Sequence, residues 1–263
     1  MNVKPIILKL GGSVITHKEK MLTPNREAIN RLAHEISRAN VSPLVIIHGG
    51  GSFGHPIARA YKINEGFKDS SQMIGFSKTH QAMTELNKIV IDALISHNIP
   101  ALEVQSSSLI ITKSGRIKTL DNKVIEKLFE KGFVPVLYGD VVLDSDRGFA
   151  ILSGDQLVSS LARQLAAEHI IVGVDVDGLY TSDPKKDKTA KLVRHITLVE
   201  LEKMRLRISQ AAMTDVTGGM LGKIGELILA VKARISVLIV NASKPDNIYK
   251  ALKGQKVVGT LIE

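Results

Sequence analysis

The chain has 263 residues, enough for one large domain or two small ones with a sizeable core. It carries 35 Lys and Arg against 26 Asp and Glu, a formal charge of +9, with no Trp and four Tyr; anionic partners are expected, but not the basic–aromatic stretches that stack nucleic-acid bases. Cys is absent, which excludes disulfides, thiolate metal sites and a cysteine nucleophile, and no stretch offers the roughly 18 apolar residues that span a bilayer.

The first apolar run, at residues 5–10 (PIILKL), reads as a short buried strand; it holds a lysine and ends at two glycines, unlike a secretory signal, so a cytoplasmic protein is expected. Thr23 offers an N-cap with Pro24 at the first helical position, and Ile29, Leu32, Ala33 and Ile36 follow at helical spacing. Residues 44–47 give the next strand. A long helix is expected from about Met73 to His97, with Phe76, Met83, Leu86, Val90 and Leu94 on or near one face. Further strands are predicted at 101–105, 133–138, 169–174 and 236–241, and helices at 121–131, 155–167, 197–206 and 218–233. The stretch VVLDSDRGFAIL reads as a hairpin turning near Asp144 to Gly148. Strand–helix alternation predicts an α/β fold with a mostly parallel sheet covered on both faces, and neither a linker nor a repeat divides it. The ligand site is then expected at the carboxyl ends of the strands.

Four glycine-bearing segments stand there: KLGGS (9–13), HGGGSFGH (48–55), SGDQ (153–156) and TGGMLGK (217–223). Two follow predicted strands and two open predicted helices, where free N–H groups and the positive dipole end suit phosphate. Any one of them alone also reads as a plain turn. Gly49, Gly51 and Gly54 match the dinucleotide spacing, and Asp69 falls about 20 residues on, where a ribose-binding acid is expected. The stretch before Asp69, YKINEGFKD, reads as a loop rather than as the strand which that fingerprint requires, and no Walker-type loop occurs. Lys9 lies inside an apolar strand, where a cation needs an anionic partner. Lys223 falls in the first turns of a helix, where the dipole disfavours a cation unless phosphate is bound. By itself Lys18 reads as a solvated lysine, and His55 as a helix-start histidine. VDVDGLYTSDP (174–184), with Asp175, Asp177 and Asp183, is either a polar turn or a nucleotide-contacting loop, and nothing in its spacing singles out a metal.

In this order, KLGGS, HGGG, YGD, SGDQ, DVDGLYTSDP and TGGMLGK resemble the amino acid kinase family over nearly the whole chain. The resemblance implies an open α/β/α sandwich with a mostly parallel central sheet. It implies a single domain over 1–263, with an acceptor-binding lobe at about 1–165 and a nucleotide-binding lobe at about 166–263. GGSVITHK, HGGGSFGH, GFVPVLYGDVV and DVTGGMLGK are similar to the branch that phosphorylates isopentenyl phosphate with ATP, a step of isoprenoid synthesis by an alternative mevalonate route. Two positions depart from the pattern: His17 stands where an aspartate is expected and Val174 where many relatives have threonine.

By this resemblance, Lys9 and Lys18 stabilise the transferring phosphoryl group and Lys223 holds the nucleotide phosphates, with His55 counted in the same catalytic set. Gly11, Gly12, Ser13, Gly51, Gly218 and Gly219 would contact ATP together with Asp175, Asp177, Tyr180 and Asp183. Gly50, Gly54, His55, Gly139, Ser153, Gly154 and Asp155 would surround the acceptor phosphate, and Phe76, Thr79, Val141 and Ile151 would line its apolar tail. Mg²⁺ would travel with ATP, held by phosphates and water rather than by a protein cage. A homodimer is also implied, with no nucleic-acid or membrane partner. Two rivals stand beside this reading: a fosfomycin-type phosphonate kinase of the same fold, and a non-catalytic ligand-binding protein, against which the retention of Lys9, Lys18 and Lys223 argues.

Overall fold

The computed structural model describes residues 4–182, 184, 187–211 and 218–263. Its central sheet runs in the order His195–Ile196, Gly259–Ile262, Ser236–Asn241, His169–Val174, Ile6–Leu10, Leu44–His48, Val134–Tyr138, Ala101–Glu103. From Ser236–Asn241 to Ala101–Glu103 every neighbouring pair is parallel; Gly259–Ile262 pairs antiparallel with Ser236–Asn241. The strands Ile6–Leu10, Leu44–His48 and Val134–Tyr138 are buried along their whole length, as parallel strands with helices on both faces must be.

Two apolar layers flank this sheet. Ile6, Leu8 and Leu10 point into one, with Leu32 of helix Arg26–Ala39 and Leu86 of helix Ser71–Ser96. Ile7 points into the other, with Leu157 and Leu161 of helix Gly154–Gln164 and Leu227 of helix Gly218–Lys232. Side chains alternate along a strand, so Lys9 shares the face of Ile7 and is carried toward the second layer of helices. The strand's register sets Lys9 between Ile47 and Val172.

The expected long helix is found at Ser71–Ser96, with Met83, Leu86, Val90 and Leu94 buried and Phe76 half-buried. The expected hairpin is found as Asp140–Asp144 and Gly148–Leu152. Two sequence expectations are corrected. The helix cap is Asn25, whose side chain accepts from the Ala28 amide at 3.1 Å; the Thr23 hydroxyl donates to the Met21 carbonyl, because Pro24 is drawn into an antiparallel bridge with Thr16. The strand predicted over 101–105 ends at Glu103, since the chain turns into the short helix Ser106–Leu109. A second sheet, in the order Arg116–Leu120, Ile110–Lys113, Asp140–Asp144, Gly148–Leu152, contains a hairpin at 110–120 that the sequence reading left unassigned. Its outer strand is mostly exposed, so Lys, Arg and Thr dilute the apolar signal. Gly259–Ile262, between His195–Ile196 and Ser236–Asn241, is a further strand outside the sequence expectations. Among the described residues, no helix is long and apolar enough to cross a membrane.

Asn25→Ala is expected to lower the free energy of unfolding in urea by about 1 kcal/mol, and Thr23→Ala by less. Equal losses from the two would reinstate Thr23 as the cap.

Candidate active site

Loops leaving four strands converge at the carboxyl edge of the sheet around a cavity of about 500 Å³. Gly12 and Ser13 enter it from the first strand, Gly49, Gly50 and Gly51 from the second, Gly139 from Val134–Tyr138, and Ser153, Gly154 and Asp155 from the hairpin's return into helix Gly154–Gln164. The first two loops touch backbone to backbone. A Cβ on Gly12 would lie 2.4 Å from the Gly51 nitrogen. Gly51 has φ +49°, and a Cβ there would meet the Thr16 hydroxyl at 2.1 Å. Only glycine fits either position. Gly11 lies behind the wall, its amide donating to the Gly173 carbonyl at 2.9 Å.

Asp155 is the charged centre. Its carboxylate accepts from the ammonium of Lys9, and from that of Lys223 at 3.0 and 3.2 Å. Lys9 is 5% exposed. Burial, with the positive Lys223 beside it, lowers its pKa to about 8, while Asp155 opposes the shift. Burial alone would raise the Asp155 carboxyl, but Lys9 and Lys223 outweigh it and hold the group below the usual carboxylate range. An acid so held is an orienting anion for two cations, and a poor proton acceptor. Ser153 caps the same helix by accepting from the Gln156 amide at 3.1 Å.

A second, more open ion pair flanks the first. Asp175, just after strand His169–Val174, accepts from the Lys18 ammonium and the Ser13 hydroxyl, each at 3.0 Å. Lys18 is half exposed, so its ammonium can leave Asp175 for a bound anion. Burial would raise the Asp175 carboxyl, but Lys18 and Ser13 lower it on balance.

His55 stands on helix Gly51–Ala60 in the cavity wall, reached by solvent through the opening. Burial of its ring, then the charges of Arg59 and Lys9, push its pKa down. A neutral imidazole presents one N–H donor and one acceptor to the cavity. Gly50 and Gly54 rest on Met83, whose sulfur would lie 2.9 and 2.8 Å from a Cβ at these positions. Met83, Val141 and Ile151 give the cavity wall an apolar part. Thr79 joins them and donates its hydroxyl back to the Gly75 carbonyl at 2.8 Å. Phe76 is not part of the wall. It packs 5.5 Å from the Phe149 ring, in a small cluster behind Val141 and Ile151.

Of the other predicted residues, Asp177 is held by Lys244 and by the Asn241 amide at 2.9 Å. Tyr180 sits in the short strand Leu179–Tyr180, outside the cavity. Gly218 and Gly219 open the helix Gly218–Lys232. Asp183 lies outside the described residues, as does Thr217 of the last glycine segment. Sequence reading missed Arg59, Asp140, Met83 and Lys244. Arg59 was within reach, since it follows His55 by one helical turn on the same face. Lys244 was not, because its pairing with Asp177 joins segments far apart in the chain.

The profile of the amino acid kinase family matches residues 4–241. The chain belongs to the amino acid kinase family. Within it, the chain is 44% identical to the isopentenyl phosphate kinase of Methanothermobacter thermautotrophicus, over 98% of both sequences. It is 37% identical to the isopentenyl phosphate kinase of Methanocaldococcus jannaschii, again over 98% of both. A solved structure of isopentenyl phosphate kinase superposes with a TM-score of 0.87 at 41% identity, covering 98% of this chain and 100% of that one.

For an amino acid kinase, the low pKa of Lys9 has a consequence in turnover. Anionic phosphate favours the charged ammonium, so binding is strong below the Lys9 pKa and weakens as pH rises through about 8. The kcat/KM for ATP is expected to show that alkaline limb. Lys9→Arg, which stays protonated, should displace the limb to higher pH. An alkaline profile that is flat in the unaltered enzyme excludes this role for Lys9.

Proposed function

We propose that this chain transfers the γ-phosphoryl group of ATP to the phosphate of isopentenyl phosphate, forming isopentenyl diphosphate. One observation carries the reading: a single cavity is lined both by lysines, a histidine and glycine backbone and by the apolar side chains Met83, Val141 and Ile151. That lining suits a short hydrocarbon bearing a phosphate. Near-full-length similarity to isopentenyl phosphate kinases supports the same substrate. The reaction would serve isoprenoid synthesis.

The acceptor's second pKa is about 6, so at neutral pH its attacking oxygen is already ionised and no general base is required. The difficulty is bringing two anions together, and it is met by positioning and charge neutralisation. In this reading Lys9 and Lys18 meet the transferring phosphoryl group, and Lys223 holds the nucleotide phosphates. Gly12, Ser13 and Gly51 present the first loops to ATP, with Gly11 behind them and Gly218 and Gly219 at the helix start. His55 donates to the acceptor phosphate beside Gly50, Gly54 and the 153–155 turn, and Asp155 orients the two lysines by accepting from both. Asp175, Asp177 and Tyr180 belong to the nucleotide half, about residues 166–263, and the acceptor half spans about 1–165. Mg²⁺ would arrive with ATP, held on phosphate and water oxygens. We also expect a cytoplasmic homodimer that binds small molecules.

Each buried methylene contributes about 0.8 kcal/mol, so the tail end separates similar small prenyl phosphates weakly and limits length by depth. Ile151→Ala should therefore raise activity on longer prenyl phosphates, and an unchanged chain-length preference makes Ile151 ordinary packing.

A coupled ATP assay with isopentenyl phosphate, dimethylallyl phosphate and fosfomycin side by side tests the substrate. Turnover of the prenyl phosphates is expected, and preference for fosfomycin overturns the reading. His55→Ala should raise the KM for isopentenyl phosphate by roughly 10- to 100-fold, the loss of one hydrogen bond to a charged group. Lys18→Ala should reduce kcat by roughly 10²- to 10³-fold while ATP still binds. Unchanged constants remove either residue from its role.

A further inference from the structure

Lys223 does not stand alone on its helix. Glu226 follows it by three residues, so the two side chains share one face of Gly218–Lys232. Glu226 is buried at 8% exposure and is gripped by both arms of the Arg116 guanidinium, one of them at 3.2 Å. Arg116 belongs to the hairpin at 110–120. That hairpin is tied in turn to the helix bearing Asp155. The Gln156 side chain accepts from the Ile117 amide at 3.0 Å and donates to the Gly115 carbonyl at 3.1 Å. The hairpin's turn is itself fixed, because the Asp144 carboxylate accepts the amides of Ser114 at 3.1 Å and Gly115 at 2.7 Å. The contacts close a ring: Asp155 to Lys223, along the helix to Glu226, across to Arg116, and through the hairpin backbone to Gln156, the neighbour of Asp155.

Apolar packing holds this helix on the sheet through Ile224, Leu227 and Ile228. Such packing is non-directional and does not by itself fix how a helix is rotated or slid along its axis. A two-armed guanidinium–carboxylate pair does, because its geometry is specific. The Arg116 side chain is half exposed, and an ion pair open to water on one side adds little net stability, so the worth of this one lies in placement.

We propose that the Arg116–Glu226 pair is a positioning device for Lys223, fixing the helix so that the Lys223 ammonium stays on Asp155 beside Lys9, ready for the nucleotide phosphates. Neither Arg116 nor Glu226 lines the cavity. The proposal rests on the reading of the chain as an ATP-dependent kinase and adds to it the hairpin of the second sheet.

The test is ATP affinity measured by calorimetry without acceptor, together with the KM values for ATP and isopentenyl phosphate. Arg116→Ala and Glu226→Gln should each weaken ATP binding about tenfold or more, as expected when a positioned charge is displaced. The KM for isopentenyl phosphate should stay within about twofold, since His55 and the tail end are untouched. Arg116→Lys should recover part of the loss, and the charge exchange Arg116→Glu with Glu226→Arg most of it. Unchanged ATP affinity in the single variants overturns the proposal, and so does an equal rise in both KM values, which marks general loosening. Should Arg116→Ala fail to fold, the charge exchange decides: restored ATP affinity supports the pair, and lost affinity with unaltered thermal melting overturns it. The calorimetric readout needs no turnover. Failure of the unaltered enzyme on isopentenyl phosphate would therefore count against the acceptor and leave the ATP result to stand.

Discussion

The site depends on one carboxylate. Asp155 sits between two ammonium groups that would otherwise repel each other in a poorly hydrated place. A lone buried lysine is costly, and two adjacent ones more so. With Asp155 between them they remain a cluster carrying net positive charge. That is the electrostatic requirement for joining two phosphates. The same arrangement explains why Asp155 is no base: its lowered pKa is the measure of how strongly it is committed to the lysines.

This cluster is held by elements of different kinds. The first strand fixes Lys9 through its alternation and its register between two neighbouring strands. The capped start of helix Gly154–Gln164 fixes Asp155. A Cβ on Gly154 would fit tightly against the His48 carbonyl at 3.3 Å and make ordinary contact with the Lys9 side chain at 3.7 Å. Around this centre the backbone contact of Gly12 with Gly51 brings two glycine loops to one point. Side chains at those two positions would separate the loops and open the cavity.

Polar groups behind the wall serve the same end. His48 closes the second strand; burial keeps it uncharged, and it hydrogen-bonds the Gly49 carbonyl and the Asn87 side chain of the long helix. Asp140, in the wall of the cavity, is paired at 2.7 Å with His80 of that same helix, whose pKa this carboxylate raises. The long helix thus contributes apolar cover to the sheet, Met83 and Thr79 to the cavity, and two histidine or amide anchors to the strand ends.

Much of this was legible in the sequence. The central strands are fully buried and so read as apolar runs, and the glycine segments declare where phosphate can approach. Lys9 was conspicuous because a cation inside such a run needs a partner. Other features carried no local signal. The hairpin at 110–120 is half exposed and mixes Ile with Lys, Arg and Thr; the cap shifted from Thr23 to Asn25 because Pro24 was claimed by a bridge to Thr16. Phe76 matched a lining position yet stands one layer behind Val141 and Ile151. What the sequence by itself determined is the parallel α/β frame and the chemical kinds of group at its edge, since periodicity and glycine placement are local properties of the chain. Only the tertiary structure decided which anion answers which cation. Lys9 and Lys223 meet on Asp155, Lys18 on Asp175 and Arg116 on Glu226, because each pairing is set by how distant segments stack, and charge carries no label of its partner along the chain.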